Sequence, residues 1–321
     1  MMLLAHAALA DPGKPLPTSP VYKIKNTEIE VNYTPDPRNR TDSTGNIIPF
    51  TKVGNLIIIK ATVDTIQGNF ILDTGAPHLV LNQTYFRHYT TSTDPDMMQT
   101  GITGVGAGIA KATIKMLQVG SFDYAKCEAD LISLGHLENS KGIRILGLLG
   151  MSLFRQCEMM IDYENSVIRL CYINRRGARN FKSELFNGTD TYTEVPIEML
   201  DSRITVSTEM AGKNLKFIID SGAETNILDN KLPGKVMDNF VITGRVMLAG
   251  TGNKKVEAVS GDLAEMKIGP VSIGTLPVVI TNLEKTCFFY GGCINGILGF
   301  EYLSLRKLAF NFVSNKMYIW K

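Results

Sequence analysis

The chain is poor in the residues that several common chemistries need. It holds four His, at 6, 78, 88 and 136, and five Cys, at 127, 157, 171, 287 and 293, in 321 residues. Their spacings match no zinc ligand set, and no metal or other cofactor is expected. No G-x-S-x-G occurs, which leaves a serine-hydrolase elbow unsupported. No Gly-rich stretch opens a helix or closes with Gly-Lys-Ser/Thr, which removes the phosphate loop. An excess of either charge is missing too. The 33 Lys and Arg against 31 Asp and Glu leave a net charge of +2, which suggests neither a nucleic-acid surface nor an anionic membrane. Arg175, Arg176, Arg179 and Lys182 read as a solvated linker. No apolar run is long enough for a membrane-spanning helix.

What is present is apolar residue in quantity, 44% of the chain, and 29 Gly, as in a globular protein with many turns. Met1 to Ala10 is short and apolar and ends Ala8-Leu9-Ala10 before Asp11, an A-x-A-like cleavage pattern without a basic flank. It reads as the remnant of a secretory signal, and hence as a secreted or periplasmic protein, with a frayed tail as the alternative. Cys157 and Cys171 flank a predicted hairpin, and Cys287 and Cys293 bracket a short loop. In an oxidising compartment each pair could form a disulfide; otherwise they are buried thiols. Cys127 is placed in a strand core.

One seven-residue pattern occurs twice. Phe70-Ile71-Leu72-Asp73-Thr74-Gly75-Ala76 returns as Phe217-Ile218-Ile219-Asp220-Ser221-Gly222-Ala223, with the two Asp 147 positions apart (220 − 73 = 147). Alone, an Asp that ends a strand is turn chemistry. Other landmarks repeat in the same order at nearly the same offset. Gly104-Val105-Gly106 answers Gly250-Thr251-Gly252. Leu148-Leu149-Gly150 answers Ile297-Leu298-Gly299, and the turns Asn165-Ser166 and Ser314-Asn315 correspond. Two copies make a duplicated lobe, whereas a solenoid needs three or more.

Most of the chain from Val21 has strand character. Leu56 to Val63 is a long β-branched run, and Arg203 to Ser207 is its counterpart in the second copy. The pieces near Tyr85 to His88 and Ser152 to Gln156 are long enough for single helical turns only. The predicted class is all-β, with two pseudo-symmetric barrel-like lobes and a central cleft. The expected organisation is a leader over 1–20, an N-terminal lobe over 21–176, a linker over 177–191 and a C-terminal lobe over 192–321. The stretch from Asp11 to Asn55 either occludes the cleft or pairs with a sheet between the lobes.

Two carboxylates brought about 3 Å apart by such a duplication cannot both ionise readily and share one proton. The ionised one can take a proton from a water between them while the protonated one polarises a carbonyl. The product is a tetrahedral gem-diol, reached without a metal or a covalent intermediate. Asp73 and Asp220 are the candidate pair. Gly75 and Gly222 let the backbone turn its N–H groups toward them, and Thr74 and Ser221 offer hydroxyls that can cross-link the two loops.

These motifs resemble the aspartic proteases of the retropepsin and pepsin group, over roughly Asn55 to Trp320. The resemblance implies a bilobal acid-protease fold, a peptide or protein substrate bound in extended form, Asp73 and Asp220 as catalytic residues, and Thr74, Gly75, Ser221 and Gly222 as their support. Ala76 and Ala223 are closer to the retropepsin pattern, and the chain resembles a tandem retropepsin in one polypeptide. A monomer would suffice. Glu224 stands where retropepsins carry an acid that contacts substrate backbone, while the first copy has Pro77 there. Gly104 and Gly106, with Gly250 and Gly252, fall on flap-like segments or on ordinary hairpin turns. No flap Tyr of the pepsin kind occurs from Gly101 to Ala112. A fold of this kind that binds peptides or proteins without cleaving them is the alternative function.

Overall fold

The computed structural model describes residues 37–39, 45–89, 91–101, 104–174, 181, 183, 185, 186, 191–249, 255–284 and 293–321. The leader over 1–20, Cys287, Gly250, Gly252 and the basic residues Arg175, Arg176, Arg179 and Lys182 lie outside them. The protein is all-β, with two barrel-like lobes built on three sheets. A nine-stranded sheet belongs to the first copy of the repeat, an eight-stranded sheet to the second, and a six-stranded sheet draws on both.

The strands that carry the Asp motifs explain why the carboxylates are held so firmly. Ile66–Leu72 lies antiparallel to Leu56–Val63 and parallel to the short strand Gly147–Leu149. Side chains alternate across a strand, so Phe70 and Leu72 enter the main core while Ile71 enters a second cluster with Leu56, Ile58, Val80 and Leu148. Lys213–Ile219 repeats the arrangement against Arg203–Met210 and Gly296–Leu298. Phe217 and Ile219 face the main core, and Ile218 packs with Ile227 and Ile297. Both Asp strands are therefore apolar on both faces, and each fully buried Phe, Leu or Ile contributes about 1.5–3 kcal/mol. The backbone ladder continues to the Asp itself. Asp73 N–H donates to Leu149 O at 3.1 Å and Asp220 N–H to Leu298 O at 2.9 Å. The Gly after each short strand permits close crossing of the Asp loop: a Cβ at Gly150 would lie 2.0 Å from His78 O, and one at Gly299 2.6 Å from Ala223 O.

The six-stranded sheet joins the copies. Gly45–Pro49, Val167–Tyr172 and Cys157–Asp162 come from the first, and Leu308–Asn311, Lys316–Trp320 and Tyr192–Pro196 from the second. The seam is the antiparallel pair Cys157–Asp162 with Leu308–Asn311. Of the two fates expected for the segment before Asn55, Gly45–Pro49 takes the second and forms an edge of this sheet. The hairpin turns correspond, with Ser166 at φ 53° and Asn315 at φ 54°. The region expected as linker is not wholly solvated: Phe181, Leu185 and Phe186 pack with Trp320 on the outer face of the sheet. Apolar residues spaced through a polar stretch find a greasy sheet face there.

Cys157 and Cys171 are buried thiols, not a disulfide. In the hairpin Cys157 pairs with Tyr172 and Cys171 with Glu158. Neighbouring registers point to opposite faces, so Cys157 enters the main core and Cys171 the cluster under Trp320. Cys127 is a buried thiol as well, while Cys293 is disulfide-bonded. Beyond the two expected single turns, at Gln83–Phe86 and Met151–Phe154, there are helices that patterning did not suggest: Gly135–Lys141 and the single turns Gly234–Met237 and Phe300–Leu303. No described helix is long and apolar enough to cross a membrane.

Candidate active site

Each Asp begins a tight loop that folds back on its own carboxylate. Asp73 Oδ1 accepts from Gly75 N–H at 2.9 Å and from Ala76 N–H at 3.0 Å. Asp220 Oδ1 accepts from Gly222 N–H at 2.8 Å. Between the loops run four further bonds in a twofold pattern. Thr74 Oγ1 donates to Ile219 O at 2.8 Å and accepts from Ser221 N–H at 2.9 Å. Ser221 Oγ donates to Leu72 O at 2.8 Å and accepts from Thr74 N–H at 3.1 Å. Thr74 and Ser221 are both buried. Each bond nets about 1 kcal/mol, but a buried group left without its partner costs about 1–3 kcal/mol.

This cross-bracing brings the carboxylates to one axis. A Cβ on Gly75 would sit 2.4 Å from the carboxyl carbon of Asp220, and a Cβ on Gly222 would sit 2.7 Å from that of Asp73. Each loop glycine faces the opposite Asp, and any side chain there would collide with it. The two Asp side chains are hydrogen-bonded to each other and stay partly open to solvent. Burial raises the Asp73 carboxyl to about 8, helped by the charge of Asp220 and the bond to it, against the pull of the Gly75 and Ala76 N–H groups. Burial raises Asp220 as well, opposed by the Gly222 N–H, the bond to Asp73 and the Arg203 charge. Such groups titrate as a pair, and the second proton, the one the two carboxyls share, leaves far above the ordinary carboxylate range.

A family model described as aspartyl protease matches the chain twice, over 59–153 and 206–302. The chain belongs to the aspartyl protease family. Each match contains one Asp loop and the short strand behind it, so the duplication seen in the motifs is a duplication of the whole family unit. No curated protein matches the chain.

The other expected residues take varied places. Ala76 is buried, with its N–H on Asp73 and its carbonyl accepting from Met151 N–H at 2.9 Å. Ala223 packs with Ile218 and Ile297, and its carbonyl accepts from Phe300 N–H at 2.9 Å. Both support the loops by these contacts. The Glu224 carboxylate is occupied by the other lobe: one oxygen meets Lys141 Nζ, and the other accepts from Asn55 N–H at 3.2 Å. Gly104 opens the long strand Gly104–Val119, opposite Gly101 at the end of Thr91–Gly101, and Gly106 follows in the same strand. The counterpart hairpin pairs Phe240–Ala249 with Lys255–Ile268. His78 is half-buried and its pKa is lowered, by burial first, with Asp201, Lys111, Arg155 and Arg203 acting on it.

Three residues near the loops escaped sequence reasoning. Arg203 is buried, and its Nε donates to Gly75 O at 2.7 Å while Nη1 pairs with Asp201 at 2.6 Å. Asn55 and Lys141 hold Glu224 from the first lobe. A usable trace existed for Arg203. It precedes Asp220 by 17 positions (220 − 203), where the first copy has Leu56 (73 − 56), so a charge opens a strand whose twin opens on an apolar residue.

Proposed function

We propose that the protein is an aspartic endopeptidase in which Asp73 and Asp220 share a proton and activate one water against a peptide carbonyl. The observation that carries this reading is the facing of each carboxylate onto the other loop's glycine, 2.4 Å and 2.7 Å from a would-be Cβ. The pair has the ingredients of acid–base hydrolysis: one proton retained well above pH 4, one charge, and partial access for water. The water loses a proton to the ionised carboxylate as its oxygen bonds to the carbonyl carbon. The protonated carboxyl gives its proton to the carbonyl oxygen, so that a gem-diol forms; the C–N bond then breaks as the nitrogen takes the proton drawn from the water and one diol hydroxyl returns its proton to the other carboxylate, leaving acid, amine and the singly protonated dyad. Thr74, Gly75, Ser221 and Gly222 keep the carboxylates in register.

The substrate is a peptide or protein in extended form. Two long hairpins flank the motif strands, and Phe240–Ala249 exposes Val241, Ile242 and Met247, strand-borne apolar side chains suited to an extended chain. One chain supplies both carboxylates, which supports a monomer as the active form. A secreted or periplasmic location is supported by the disulfide at Cys293.

The test is turnover of a mixed peptide library, with and without a statine-type transition-state mimic. Cleavage of peptides of roughly six or more residues, blocked by the mimic, is the expected result. Peptide binding without cleavage between about pH 3 and pH 8 would instead make the protein a binding module on this fold.

A further inference from the structure

We propose that Lys141 is a positioning residue for the dyad, acting through Glu224 to hold the Asp220 loop against the first lobe. This rests on the dyad reading above. Glu224 follows Asp220 by four residues, on the chain that leaves the loop. All three of its acceptor oxygens are taken by the first lobe. Lys141 Nζ meets Oε1, the Asn55 N–H meets Oε2 at 3.2 Å, and Asn55 Nδ2 donates to the Glu224 carbonyl at 3.0 Å.

The first-lobe side of this contact is rigid. Asn55 follows Gly54, whose φ of +59° suits glycine, and a Cβ there would lie 2.8 Å from Glu224 Oε2 and 3.2 Å from Lys141 Nζ. That turn is thus shaped around the ion pair. Lys141 ends the helix Gly135–Lys141, which is pinned at Glu138. The Glu138 carboxylate accepts from Tyr85 Oη at 2.6 Å, Ile145 N–H at 2.9 Å and Asn82 Nδ2 at 3.1 Å. Gly142, at φ 65°, closes the helix by donating to Glu138 O at 2.8 Å. Lys141 is therefore presented from a fixed platform. Its side chain is 15% exposed and that of Glu224 39%, so the pair is partly shielded from the screening that makes surface pairs weak.

The duplication sharpens the point. The position matching Glu224 in the first copy is Pro77, which has neither charge nor N–H. The Asp73 loop is held from the second lobe by a different device, Arg203 Nε on Gly75 O. A cation from each lobe thus grips the other lobe's Asp loop, by unrelated contacts. Lys141 reaches the dyad through the placement of Asp220, because its ammonium is engaged by Glu224 on the chain that leaves the Asp220 loop.

The experiment compares Lys141→Met, Lys141→Gln and Lys141→Arg with the exchange Lys141→Glu/Glu224→Lys. It reads kcat and KM on a cleaved peptide, and the dyad titration by carboxyl-13C NMR. Removing the charge should lower kcat about tenfold with KM within about twofold, as expected of a misplaced reacting group. The upper carboxyl titration should move toward the ordinary range. Lys141→Arg and the charge exchange should recover most of both. Wild-type kcat and an unmoved titration in Lys141→Met and Lys141→Gln would overturn the proposal. So would a raised KM at unchanged kcat, which would make Glu224 a substrate contact. Should the wild type cleave nothing, the endopeptidase reading fails, and the titration shift alone decides whether Lys141 places the carboxylate.

Discussion

The two Asp loops are alike where they touch each other and unlike where they touch the opposite lobe. Between them run four hydrogen bonds related by a twofold axis, Thr74 with Ile219 and Ser221, and Ser221 with Leu72 and Thr74. Outside that shell the symmetry ends. The Asp73 loop is held by Arg203, and the Asp220 loop by Asn55 and Lys141 through Glu224. The difference separates two demands. Meeting of the carboxylates requires identical small residues in both copies, since a Cβ on either Gly collides with an Asp. Fixing the lobes requires only some polar contact, so each copy is free to use its own.

The largest effect should come from the carboxylates. Asp73→Asn and Asp220→Asn should each lower peptide hydrolysis by about 10²–10⁴-fold, assayed as turnover, and a strong difference between them would break the twofold equivalence. The same substitutions should have an opposite effect on stability. A carboxyl raised from 3.8 to about 8 on folding favours the folded state fully below pH 3.8, and that contribution drains away as pH rises toward 8. The wild type should therefore melt lower at pH 7 than at pH 5 on account of this pair. Asp73→Asn, which removes the carboxyl that must keep its proton in the folded state, should melt higher than wild type at pH 7. A lower melting temperature for that variant at pH 7 would contradict the burial argument.

Next come the inner hydroxyls. Thr74→Val and Ser221→Ala each orphan one buried N–H and one buried carbonyl and should cost about 2 kcal/mol or more in denaturant unfolding. Near-equal costs sharpen the symmetry, and a negligible cost for either would break it. The smallest effect is expected from the outer shell. Arg203→Met leaves Gly75 O without its donor and should cost about 1–3 kcal/mol. It also removes the charge that lowers Asp220, so the alkaline limb of the pH–rate profile should move up. An unmoved limb would mean that the Arg203 charge is not sensed at the dyad.

Much of this was readable in the chain because duplication magnifies weak signs. The Asp motifs, the Gly closures at Gly150 and Gly299 and the turns at Ser166 and Asn315 are each ordinary alone and informative as pairs. The all-β class followed from β-branched runs such as Leu56 to Val63. What was unreadable is what the copies do not share. Lys141 lies in a helix of seven residues, too short for a periodic pattern, and its partner is 83 positions away. Glu224 looked available to substrate because sequence offers no view of the lobe opposite. A disulfide between Cys157 and Cys171 looked feasible until register placed them on opposite faces of one hairpin.

The central claim is that two carboxylates from the two copies hold one proton between them. Carboxyl-13C NMR of Asp-labelled protein across pH 2 to about 10 tests it. One Asp resonance should titrate far above the ordinary range in the wild type, and that step should move down, without reaching the ordinary range, when Asp220 becomes Asn. Two Asp residues titrating independently near pH 4, each indifferent to loss of the other, would contradict the account.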